Sequence, residues 1–105
     1  PRLQYGSDQD KIDEIIRENP ELKEKIHPNL FYIQAEVVFA VRYEMAQKLE
    51  DVLARRTRSL FLDSKSALAC APSVAKIMAK ELGKGTDWID HELREFEILA
   101  KNYMI

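Results

Sequence analysis

Residues 32–46 restrict the possible folds more than any other part of the chain. Between Tyr32 and Ala46, the residues Ala35, Val37, Val38, Phe39, Ala40, Val41 and Met45 leave Glu36, Arg42 and Glu44 as the charged interruptions. A helix that is apolar on nearly every side has to be buried on nearly every side. The valines also suit a strand, but Ala35, Ala40 and Ala46 together with Met45 favour a helix. The rest of the chain must therefore wrap around one central helix.

The remaining segments supply that wrapping. Ser7, Asp10 three residues later, and Ile12, Ile15 and Ile16 at helical spacing predict a capped first helix over about residues 8–18. Asn19 caps a short second helix with Pro20 at its first position; Leu22 and Ile26 face the core, and Pro28 ends it in a loop over residues 27–30. Leu49, Val52, Leu53 and Arg56 follow at i, i+3, i+4 and i+7, an apolar helical stripe that ends in an arginine. Asp63 and Ser64 offer caps for a long helix to Leu82, with the stripe Leu68, Ala71, Ala75, Met78 and Leu82 and with Gly83 as its stop. Pro72 lies inside it and predicts a kink or break near residues 68–72. Thr86 or Asp87 caps a last helix in which Ile89, Leu93, Phe96, Ala100 and Tyr103 keep an unbroken stripe. The expected fold is all-α, a compact single domain of about five to six helices around a buried central helix.

Composition narrows the chemistry. A chain of 105 residues holds one core and is too short to enclose a large cofactor together with its substrate. A net charge of −2 with both signs interspersed gives no field to hold a polyanion, so no nucleic-acid partner is expected. Cys70, flanked by Ala69 and Ala71, is the single cysteine; it reads as a small buried thiol, excludes an internal disulfide, and fits a reducing, cytoplasmic compartment. His27 and His91 lie far apart, without the spacing of a metal site. The apolar run from Ala35 to Val41 is far shorter than the ~20 residues that cross a bilayer. The chain begins at Pro1 without a starting methionine or signal pattern, which suggests a piece of something longer.

The segment from Ala35 to Arg58 joins the most apolar helix to four arginines and four carboxylates. On one reading the charges satisfy each other: Arg56 lies on an apolar stripe, Glu36 and Glu44 on a buried helix, and a buried charge needs a partner. Arg56 is then expected to pair with Glu36 or Glu44, while Asp51, Arg55 and Arg58 form ordinary pairs on an exposed face. On the other reading Arg42, Arg55, Arg56 and Arg58 bind an anion, because a guanidinium offers a planar fork that matches phosphate or carboxylate. The chain offers no catalytic constellation and no glycine-rich phosphate loop. Trp88, Phe96 and Tyr103 read as core anchors.

The run AEVVFAVRYEMAQKLEDVLARRTRSLFLD, from Ala35 to Asp63, resembles the C-terminal domain of the FAD-dependent glycerol-3-phosphate dehydrogenase and oxidase family. The stretch from Ala71 to Gly83 and the helix from Trp88 to Tyr103 are similar to the same family, so the resemblance covers nearly all of the chain from about Tyr5. Its most specific parts are Val41 to Ala46 and Leu49 to Arg58. The resemblance implies a non-catalytic helical cap that holds no cofactor itself. FAD and glycerol-3-phosphate would then bind to a large N-terminal part with a dinucleotide-binding fold, which would be the partner of this domain. It further implies oxidation to dihydroxyacetone phosphate with quinone or oxygen as acceptor, possible dimerisation, and a parent peripheral on the inner face of the cytoplasmic membrane. Arg42, Glu44, Asp51, Arg55, Arg56 and Arg58 match the charged motif, as residues that hold cap to body or border the substrate's phosphate. Tyr43 departs from it, standing where many members have histidine.

Overall fold

A computed structural model of the chain describes residues 8–56, 60 and 63–102, the side chains of Arg55 and Arg56 excepted. The long α-helices among the described residues are α1 (Asp8–Glu18), α2 (Gln34–Tyr43), α3 (Ser64–Leu82) and α4 (Thr86–Lys101). A 3-10 helix (Pro20–Lys23) follows α1, and a π-helical segment (Asp51–Arg56) lies between α2 and α3. The only pairing of strand type among the described residues is an isolated antiparallel bridge between Lys25 and Ile33. The all-α expectation holds.

The central helix is α2. Ala35, Val37, Val38, Phe39 and Ala40 are all buried, and the helix packs against α1, the 3-10 helix, the π-helical segment and α3. Val37 and Ala40 face a large core with Leu49, Val52, Leu53, Leu60, Met78 and Phe96. Val38 and Phe39 face a smaller one closed by Ile12 and Ile15 of α1. Ile77 of α3 packs against both. The helix is shorter than its apolar run. It ends at Tyr43, with Glu44 as its C-cap, and Met45 turns into the left-handed region at φ 61° and is 78% exposed.

Three further details differ from the sequence expectation. The stripe at Leu49, Val52 and Leu53 is buried, but its segment is α-helical only at Leu49 and Glu50 and winds as a π-helix over Asp51–Arg56. The wider i→i+5 winding buries Val52, Leu53 and Ala54 in succession, and the i, i+7 spacing that put Arg56 on the stripe is a property of α-helical winding alone. Helix α3 runs through Pro72 continuously, so the break, one of the two expected outcomes, does not occur. Pro72 is on the exposed face, where solvent can satisfy the carbonyl whose N–H partner the proline removes. Finally, the N-cap of α4 is Gly85; Thr86 and Asp87 lie in the first turn, and the cap makes no side-chain hydrogen bond.

The other helix ends follow their local chemistry. Asn19 Oδ1 accepts from Glu21 N at 3.3 Å, and Pro20 opens the 3-10 helix where its missing N–H costs nothing. Asp63 accepts from Ser66 N at 3.1 Å and from Ser66 Oγ at 2.7 Å, and these bonds hold its carboxyl below the usual range. Gly83 at φ 70° lets Lys84 N reach back to Ala79 O at 2.8 Å, which closes α3. The Ser7 cap and the Tyr103 anchor expected from sequence lie outside the described residues. Trp88 is only partly buried against the main core, whereas Phe96 is fully inside it.

Cys70 is 4% exposed, as its alanine neighbours suggested, and burial pushes its thiol up to about 11. Its folded-state value is raised, so the protonated thiol supports the fold below the ordinary thiol range, and that support is lost as the pH rises through about 11. Little reaction with a thiol reagent is expected at pH 8 in the native protein, and rapid reaction in denaturant. Equal rates in the two states would place the thiol at the surface.

Candidate functional site

The charged motif splits into separate places. Arg42 stands on the last turn of α2 and closes a clasp among three helices. Its Nε donates to Glu81 Oε1 of α3 at 2.8 Å and its Nη2 to Oε2 at 3.4 Å, while Nη1 donates to Glu18 Oε1 at the end of α1 at 3.1 Å. The bonds to Glu81 and then to Glu18 raise the guanidinium further above its ordinary range, so it stays charged at every working pH. The clasp borders a cleft of about 450 Å³ floored by Ile15, Val38 and Ile77 and rimmed by Lys76 and Lys80. Glu81 takes the bidentate fork that the anion reading assigned to a ligand.

Because the clasp is more than a third exposed at Arg42, its contribution is modest. Arg42→Met is expected to cost about 1 kcal/mol in low salt, with the difference shrinking as ionic strength rises. Urea midpoints at two salt concentrations check this, and a salt-independent loss would mean packing and not charge.

Two carboxylates of the segment from Ala35 to Arg58, those of Glu36 and Asp51, serve backbone ends. Glu36 Oε2 accepts from Ile33 N at 3.1 Å and so caps the start of α2. Asp51 Oδ2 accepts from both Gln47 N and Lys48 N at 3.0 Å and organises the turn before the π-helical segment. Glu44 is exposed at the C-cap of α2 and not inside it. The pairing of Arg56 with Glu36 or Glu44, the surface pairs of Asp51 with Arg55 and Arg58, and the anion-binding places of Arg55, Arg56 and Arg58 all involve side chains outside the described residues.

Glu92 has a role that the family resemblance of its helix did not assign to it. It is 7% exposed on α4, and its Oε1 accepts from Leu49 N at 2.8 Å in a buried contact that ties the last helix to the entrance of the π-helical segment. The signal was present: Ile89, Glu92, Leu93 and Phe96 stand at i, i+3, i+4 and i+7, so Glu92 lies on the apolar face. Asn29 makes a similar tie, donating from Nδ2 to Ser66 Oγ at 3.3 Å. Among the described residues, no group of three or more His, Cys, Asp and Glu side chains is placed to hold a metal ion, and no helix is long and apolar enough to cross a membrane.

This geometry defines a class: an all-α packing domain in which Arg42, Glu36, Asp51 and Glu92 tie helices and helix ends together. The family model for the C-terminal domain of alpha-glycerophosphate oxidase matches residues 3–89. The chain belongs to that family. Its relatives include the probable mitochondrial glycerol-3-phosphate dehydrogenase of Dictyostelium discoideum, 32% identical over 95% of this chain and 15% of the relative. The glycerol-3-phosphate dehydrogenase of Mycobacterium leprae is 34% identical over 88% of the chain and 16% of its own length. That of Synechocystis is 29% identical over 93% of the chain and 18% of its length. The chain thus spans less than a fifth of these relatives. No solved structure gives a significant match.

Proposed function

We propose that this chain is the C-terminal helical domain of a flavin-dependent glycerol-3-phosphate dehydrogenase, acting as a packing cap on the larger part that performs the oxidation. The observation that carries this reading is the family match over residues 3–89, in a chain that spans less than a fifth of its relatives' length. In the parent, glycerol-3-phosphate would be oxidised to dihydroxyacetone phosphate, with electrons passing through FAD to quinone or oxygen. The described residues do not suit FAD. They contain no strand leading into a glycine-rich turn, and the glycines among them, Gly83 and Gly85, end one helix and begin the next. On this reading the flavin belongs to the remainder, and no step of the reaction is derived through residues of this chain.

The clasp supports a cap in preference to a ligand site, since Arg42 is held by two carboxylates of its own chain. Peripheral attachment of the parent to a membrane belongs to the same proposal and would be made by the remainder. The test is purification of the full-length polypeptide that carries this chain, followed by glycerol-3-phosphate-dependent reduction of a dye and a flavin absorption spectrum. Substrate-dependent reduction with bound flavin is the expected result; a folded protein with neither would overturn the reading.

A further inference from the structure

We infer that the turn at Met45, with Tyr43 two residues before it, is a preformed contact by which this domain docks into an apolar pocket on the larger remainder of its own polypeptide. The inference rests on the function proposed above. Large apolar side chains scattered singly over a surface are ordinary, and Phe31 and Ile98, 87% and 62% exposed, need no explanation. Met45 differs from them in its backbone. It is the one non-glycine residue of positive φ among the described residues, in a region that disfavours a side chain carrying a Cβ. The turn thus sets a residue with a Cβ in the left-handed region just past the end of α2 and leaves its large apolar side chain in water.

The surroundings hold that conformation firmly. Ala40 O accepts from both Glu44 N and Ala46 N at 3.0 Å, so the chain on either side of Met45 is fastened to one carbonyl at the end of α2. Ala46 is buried immediately after it, and Asp51 fixes the next two amides. Tyr43 is 45% exposed and braced, with its ring 5.3 Å from that of Phe39 and Lys11 Nζ 4.8 Å from its centroid. Local strain persists where surrounding structure over-determines it, and it concentrates at positions with a use. A rigid turn presenting a flexible, polarisable thioether is suited to filling a pocket, with little ordering left to do on binding.

The occupant follows from the length of the relatives, more than four-fifths of which lies outside the matched region. A partner on the same polypeptide is present at high effective concentration, so a small contact suffices where a free partner would need a standard interface.

Peroxide footprinting of the wild-type full-length polypeptide tests the inference, with sulfoxide at each methionine read by mass spectrometry in the native and the urea-unfolded protein. Met45 is expected to oxidise at least about tenfold more slowly in the native protein, despite its exposure on the domain. Met78, 0% exposed, serves as the marker of an intact core. Native oxidation of Met45 near the unfolded rate, with Met78 still protected, overturns the inference. Dye reduction by glycerol-3-phosphate on the same preparation separates the two proposals. A protected Met45 in a protein without that activity would sink the dehydrogenase reading and keep the docking turn, and the reverse pattern would do the opposite.

Discussion

Phe96→Ala is expected to lower the unfolding free energy by about 3–5 kcal/mol, the range for emptying a phenyl-sized site in a core that relaxes only partly. Phe96 is 2% exposed and lies in the main core with Leu49, Leu53 and Met78. Helix α4 packs chiefly on α3, so this ring is its principal anchor. A domain of this size is stable by only about 5–15 kcal/mol, so the substitution removes a large share of the total. Urea unfolding measures it, with Ile98→Ala as the comparison on the same helix. Ile98 is 62% exposed, and its loss should stay within about 0.5 kcal/mol. Similar midpoints for the two variants would show that α4 does not seat through Phe96.

The second large effect is expected one turn earlier. Glu92→Ala leaves the buried amide of Leu49 without its acceptor, at a cost of about 2–3 kcal/mol, whereas Glu92→Gln keeps an acceptor oxygen and should cost about half of that. The same bond joins α4 to the turn before the π-helical segment, so the alanine variant should also speed hydrogen exchange at Leu49. Equal losses for alanine and glutamine would mean that the negative charge matters and that a neutral acceptor oxygen in a side chain of the same shape cannot replace it. Glu92 and Phe96 lie on one face, so the double variant should cost less than the sum of the two.

Much of the architecture was legible before any coordinates. The limits of α1, the Asn19–Pro20 start of the 3-10 helix, the Asp63 cap, the Gly83 stop and the burial of Cys70 all arise from contacts within a few residues or from simple apolar periodicity. The misreadings were also local in kind. Periodicity carries the apolar run through Met45, which the structure turns out into solvent, and continues an α-helix past Glu50, where the structure winds Asp51–Arg56 as a π-helix. Pro72 was weighed as a breaker without knowing which face it occupied.

The sequence by itself determined that one helix must be buried on nearly every side, where most helices begin and end, and to which family the chain belongs, because periodicity, capping and motif spacing are written within short stretches. Only the tertiary structure decided which charges meet. Arg42 is 24 residues from Glu18 and 39 from Glu81, and Glu92 is 43 from Leu49. At such separations the choice of partner is made by how helices pack, and the strained turn at Met45 likewise exists because Ala46, Ala40 and Asp51 are fixed by the core around it.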